Sequence, residues 1–115
     1  MTDTDTRQAE RRRHERLATS APARLGLLGY DAEGTLENVS AGGARFSTYD
    51  ADLVVAPGNF VYVQFEARRG GRPVSIRQAV RVVYVIERHE GDRTLRVLGL
   101  EFDSVVELDG LELGS

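Results

Sequence analysis

The sequence predicts an all-β domain built from six short antiparallel strands. Segments in which apolar and polar residues alternate recur at short spacing, as expected for strands with one buried face. Clusters of turn-forming residues separate these segments, most clearly at 68–73 and 89–92. No convincing helical periodicity lies between them. Short strands without intervening helices favour an antiparallel barrel or a sandwich, and closure into a barrel would leave no exposed edge strand.

The composition indicates one small cytoplasmic domain of bacterial type. The chain has 115 residues, no cysteine and a net charge of −3. Absent cysteine excludes disulfides, thiolate chemistry and cysteine-ligated zinc, and the acidic balance argues against a general nucleic-acid-binding protein. No apolar run approaches the roughly 20 residues of a membrane-spanning helix, and the polar N-terminus has no secretory signal.

The strands are assigned from the chain in order. The first five predicted strands are 23–30, 35–40, 44–48, 60–67 and 74–88, and the sixth contains residues 95–102. Five connections join them: a turn at 31–34, the Gly42-Gly43 corner, a loop at 51–59, a hairpin loop at 68–73 and a turn at 89–92. Residues 1–17 are predicted to be a flexible arm, 18–103 the β-domain, and 104–115 an acidic tail with one short helix or none.

Alternation also assigns the faces of these strands. The residues predicted to point into the core are Phe46 and, in the fifth strand, Val80, Val82, Tyr84 and Ile86. In the fourth strand, Val61, Val63 and Phe65 share one face, and Phe60, Tyr62 and Gln64 share the other. In the last strand, Leu95 and Val97 share one face, whereas Leu98, Leu100 and Phe102 have the opposite parity. That change predicts a bulge or kink near Gly99.

A first candidate binding motif, N-x-S-x-x-G, lies where the second strand ends. Asn38 and Ser40 are two residues apart, so an extended backbone sends both side chains to one face. Asn38 offers donors and an acceptor, and Ser40 offers a hydroxyl. Gly43 is predicted to satisfy either a positive φ or a close backbone approach, and backbone N–H groups at the Gly42-Gly43 corner can approach a ligand.

The second candidate motif is an arginine run in the N-terminal arm. Residues 11–16 read RRRHER, and Arg12 and Arg16 have the spacing R-x-x-x-R. A guanidinium binds phosphate or the O6/N7 edge of guanine through two parallel hydrogen bonds, and it stacks on base faces. Arg11 and Arg13 are additional candidates. Arg45 and Arg81 are candidates for further phosphate contacts from the domain surface.

Together these stretches resemble the PilZ domain, a family of bacterial receptors for the second messenger cyclic di-GMP. The resemblance rests on RRRHER, a strand hairpin, NVSAGG at 38–43 and GLEF at 99–102, and it covers about residues 8–103. It implies a six-stranded antiparallel β-barrel of PilZ-like, split-barrel type. Many members continue into a C-terminal helix, whereas this tail is short, acidic and glycine-containing.

The resemblance also implies a binding site and a mechanism. Arg12, Arg16, Asn38, Ser40 and Gly43 match the ligand-binding motifs, with asparagine in place of the commoner aspartate. Arg7 and Arg11 fit R-x-x-x-R as well, which leaves two registers open. Cyclic di-GMP, often as a stacked pair of molecules, is expected to bridge arm and barrel and thereby signal to a protein partner that the sequence does not identify.

No enzymatic activity, cofactor or metal site is predicted. His14 and His89 lie in the predicted flexible arm and in a predicted exposed turn, neither of which suits a general base. Two alternatives to the cyclic di-GMP receptor remain: a PilZ-like adaptor that works only through protein contacts, and a small β-barrel that binds RNA or single-stranded DNA. A monomer or weak dimer is expected.

Overall fold

A computed structural model describes residues 17–106 and 110–113, which form seven β-strands and no helix. The strands are β1 Leu17–Leu27, β2 Tyr30–Ser40, β3 Gly43–Thr48, β4 Phe60–Arg69, β5 Arg72–Glu90, β6 Arg93–Phe102 and β7 Leu111–Leu113. All pairings are antiparallel, in the order β1-β2-β3-β6-β5-β4-β7. A further pairing between β1 and β4 closes the first six strands into a ring. The predicted six-stranded, barrel-like fold is confirmed.

The core lies inside this ring and is made of side chains that alternate along each strand. In β4, Val61, Val63 and Phe65 are buried and their neighbours are exposed, which confirms the predicted alternation and identifies the inward face. Phe46 is fully buried between Leu36 of β2 and Leu98 of β6, its partners on the adjacent strands. Burial of apolar surface is the main stabilising contribution in such a domain.

The first hairpin differs from the prediction. The turn lies at Leu28-Gly29 rather than 31–34, and both residues have positive φ, +48° and +83°. Two left-handed residues form the tight turn whose twist matches paired strands. Ala32 is consequently a fully buried strand residue. Gly34 is also a strand residue, and a Cβ there would lie 2.2 Å from the Ser47 carbonyl oxygen.

The predicted core face of β5 is correct only in its first half. Val80 and Val82 are fully buried, but Ile86 is 47% exposed. A register shift between Val82 and Tyr84 against β6 inserts one extra residue, Val83, and reverses the faces beyond it. The bulge predicted near Gly99 of β6 therefore lies in the partner strand β5, just before Tyr84, the residue that pairs with Gly99.

The two later hairpin connections are tighter than predicted, and the tail is not helical where it is described. The two hairpins turn at Gly70-Gly71 and at Gly91-Asp92, so the strands extend into the stretches assigned to loops. Leu111–Leu113 forms the short strand β7, which pairs with β4 beside the segment that pairs with β1.

The loop between β3 and β4 covers one end of the ring. Leu53 of this loop is fully buried and belongs to the core cluster. Arg96 donates hydrogen bonds to the carbonyl oxygens of Leu53 and Ala51, which fixes the loop on β6. Tyr30 donates to Asp50 at 2.5 Å, an interaction that raises the pKa of Tyr30 to about 12.

A search of residues 17–106 and 110–113 for helices long and apolar enough to cross a membrane finds none.

Candidate ligand-binding site

The N-x-S-x-x-G motif forms a fixed corner between β2 and β3. A register shift between Leu36 and Asn38 precedes it, so Glu37 and Asn38 are both partly exposed before Val39 turns inward. Ser40 pairs with Gly43 across the turn and donates its hydroxyl proton to the Gly43 carbonyl at 3.3 Å. Ser40 is only 8% exposed, and in this structure its hydroxyl stabilises the turn through this hydrogen bond.

Gly43 is required by a close approach of two strands and not by a positive φ. A Cβ at this position would lie 2.3 Å from the carbonyl oxygen of Leu100 on β6. Its φ is not among the positive values of the described residues. The turn before Gly43 is also bound to β6, because the Phe102 N–H donates to the Gly42 carbonyl at 2.8 Å. This corner therefore has little freedom to move.

A row of residues extends from the corner across the barrel surface. Asn38 of β2 pairs with Arg45 of β3, Arg45 pairs with Gly99 of β6, and Gly99 pairs with Tyr84 of β5. Directly paired residues of antiparallel strands share a face, so these side chains face solvent together. With strands about 4.8 Å apart, the row from β2 to β5 spans about 14 Å.

The row borders a shallow depression of about 310 Å³. Its lining includes Asn38, Gly43, Arg45, Tyr84, Gly99 and Glu101. The Glu101 carboxylate would disfavour an anion, but Arg81 forms a salt bridge with it at 3.2 Å. Arg81 is therefore engaged with Glu101 in this structure, whereas Arg45 lies within the depression.

The N-terminal arm is attached at this same corner. Strand β1 begins with Leu17 opposite Val39, and Ala18 lies opposite Asn38. Arg16 precedes Leu17 directly, so the two Cα atoms are about 3.8 Å apart. Arg12 is five residues from Leu17, and its Cα can be at most about 18 Å away. Chain connectivity thus limits how far the Cα atoms of these two arginines can lie from the start of β1.

The predicted site residues divide into two groups. Asn38, Ser40, Gly42, Gly43 and Arg45 lie together around the corner. The arginines of the arm, Arg7, Arg11, Arg12, Arg13 and Arg16, lie outside the described residues, so their role and register stay predictions.

Sequence reasoning missed Tyr84, which it placed in the core. The sequence did carry one signal for it, the change in apolar alternation at Gly99. The Tyr84 ring lies over that glycine, in the space that a side chain at position 99 would fill.

Comparisons with known proteins agree on the domain type. The family model for the PilZ domain matches residues 10–113. The chain resembles the structure of the Bacillus subtilis inhibitor of motility MotI/DgrA, with 17% identity and a TM-score of 0.69, over 87% of this chain and 46% of that one. It also resembles Borreliella burgdorferi PlzA in complex with c-di-GMP, with 13% identity and a TM-score of 0.65, over 91% of this chain and 50% of that one.

This chain spans about half the length of those two structures, which at such low identity show the shared fold alone. A search of curated protein sequences finds no match. The family match covers the corner and all seven strands. The chain therefore belongs to the PilZ domain family.

Proposed function

We propose that this protein is a receptor for cyclic di-GMP, bound between the N-terminal arginines and the corner formed by Asn38, Ser40 and Gly43. The observation that carries the proposal is the pairing of Leu17 with Val39, which starts the barrel immediately after Arg16 and beside that corner. Membership of the PilZ family supports the choice of ligand, as does the presence of c-di-GMP in the PlzA structure of the same fold.

The proposed contacts follow from the chemistry of the two partners. Cyclic di-GMP presents two phosphates and two guanine edges, and a guanidinium binds either group with paired hydrogen bonds. Arg12 and Arg16 supply such groups from the arm. Asn38 is partly exposed and able to donate and accept at the remaining guanine edge. Arg45 supplies a fixed cation on the barrel wall for a phosphate.

Signalling then requires that the ligand bind the closed arrangement of arm and barrel better than the open one. A ligand held from both sides satisfies that condition, because its arm contacts exist only after closure. The closed arm presents a new surface to a protein partner. A stacked pair of ligand molecules would bridge a wider gap between arm and barrel than a single molecule.

Isothermal titration with cyclic di-GMP tests this proposal directly. We expect saturable binding by the wild-type chain and weaker or no binding of two control nucleotides. Cyclic di-AMP has the same ring of two phosphodiesters but carries adenines, and GTP has one guanine but no such ring. The stoichiometry distinguishes one bound ligand from a stacked pair. Absence of any binding to a folded sample would contradict the proposal and favour the adaptor that acts through protein contacts alone.

A further inference from the structure

Tyr84 reaches across one whole strand to the arginine on the barrel wall. Arg45 of β3 and Tyr84 of β5 both pair with Gly99 of the intervening strand β6. A Cβ at position 99 would lie 2.0 Å from Cε2 of the Tyr84 ring. The missing side chain of Gly99 therefore makes the space in which the ring lies.

The bulge in β5 is what turns Tyr84 onto the outer wall. Val82 points into the core, and strict alternation would place residue 84 on that same inner face. The extra residue, Val83, is 45% exposed, and Tyr84 follows it on the outside, opposite Gly99. A bulge that re-aims a side chain beside a binding site is a recurrent structural device.

The contact between the two side chains uses one particular atom of the arginine. Arg45 donates its Nε–H to the Tyr84 hydroxyl oxygen at 3.3 Å. Of the five N–H groups of a guanidinium, this leaves the four on the terminal nitrogens for other acceptors. Within residues 17–106 and 110–113, no carboxylate forms a salt bridge with Arg45. Arg45 is cationic like any arginine, and the hydrogen bond to Tyr84 raises its pKa further.

We propose that Tyr84 is a positioning residue, which holds Arg45 through Nε so that the terminal nitrogens face a phosphate of the ligand. The inference rests on the proposed function, because the ligand is the cyclic dinucleotide bound at the neighbouring corner. An arginine side chain left free has many rotamers, and each must be given up on binding. Fixing one end of the guanidinium before the ligand arrives reduces that loss.

Titrations of cyclic di-GMP into five proteins test this role: wild type, Tyr84→Phe, Arg45→Ala, the double variant and Tyr62→Phe. Tyr84→Phe keeps the ring over Gly99 and removes only the acceptor. We expect it to raise Kd about fivefold, within the range for the cost of immobilising one flexible side chain on binding, and Arg45→Ala to raise Kd about tenfold. The double variant should match Arg45→Ala alone, since without Arg45 the hydroxyl has nothing to position.

Tyr62→Phe is the matched control. Tyr62 also has an arginine beside it, but the guanidinium of Arg77 stacks over its ring, 4.5 Å from the centroid. Loss of that hydroxyl should leave Kd unchanged. A nitrogen-15 spectrum of the free proteins adds a readout independent of ligand, because the Arg45 Nε resonance should shift in Tyr84→Phe and not in Tyr62→Phe.

Each outcome decides between the two proposals. If wild type fails to bind, the receptor function and the role of Tyr84 both fail. If wild type binds and Tyr84→Phe binds equally well, only the positioning role is wrong. If the effects of Tyr84→Phe and Arg45→Ala multiply in the double variant, Tyr84 acts on the ligand independently of Arg45, which also overturns the inference.

Discussion

Replacement of Arg16 by alanine should weaken cyclic di-GMP binding at least about tenfold, which corresponds to about 1.4 kcal/mol or more. Arg16 directly precedes Leu17, whose partner Val39 lies between the two polar residues of the corner. It is thus the predicted arm residue with the shortest path to the site. Its guanidinium is proposed to make charge-assisted hydrogen bonds, each typically contributing about 1.5–3 kcal/mol. Isothermal titration of the variant against wild type gives the change in Kd.

Two control variants make this result specific. Arg72→Ala removes one positive charge at the tip of the hairpin between β4 and β5, about 40 Å along β5 from Tyr84. We expect it to bind like wild type, so a general charge effect would appear in both variants. Arg7→Ala tests the other arginine register: a loss with Arg7→Ala and none with Arg16→Ala would show that the second register contacts the ligand.

Replacement of Phe46 by alanine should lower the free energy of unfolding by about 3–5 kcal/mol, the range for phenylalanine truncated in a packed core. Phe46 is fully buried, and its ring lies so close to Gly34 that a Cβ there would be 2.5 Å from Cζ. Its neighbours across the sheet, Leu36 and Leu98, are also fully buried. The cavity left by the ring would therefore be apolar and poorly filled. Urea denaturation followed by circular dichroism measures the change.

Phe60→Ala is the matched control, because the same side chain is 70% exposed at the start of β4. We expect a change within about 0.5 kcal/mol, typical of an exposed position. Should Phe46→Ala fail to fold, Phe46→Leu retains most of the volume and should show a smaller loss in the same direction. Equal costs at positions 46 and 60 would contradict the placement of the core.

The parts of the fold that follow from local pattern were predictable. Strand β4 alternates between buried and exposed residues over Phe60–Ala67, so the residues that share each of its two faces are readable from the sequence. The motif at 38–43 is equally local, because the pairing of Ser40 with Gly43 closes a turn within its own length. The arm motif is also a sequence feature, and its contacts with the ligand are a prediction.

The features that were missed depend on residues distant in sequence. Val82-Val83 is a continuous apolar pair, so alternation alone cannot place the extra residue that turns Tyr84 outward. Leu28 takes a left-handed conformation in a stretch that reads as apolar strand. Strand β7 has three residues and pairs with β4 next to the segment that pairs with β1, a contact between residues more than 40 positions apart in sequence. Such features are decided by packing rather than by local preference.

The central claim is that arm and corner hold the same ligand. Nitrogen-15 spectra recorded during titration with cyclic di-GMP can follow the side-chain amide of Asn38 and the Nε groups of Arg12 and Arg16 in one sample. We predict that all three signals shift and saturate at the same ligand concentration. Shifts of the arginines without Asn38, or saturation at clearly different concentrations, would contradict a site shared by arm and barrel.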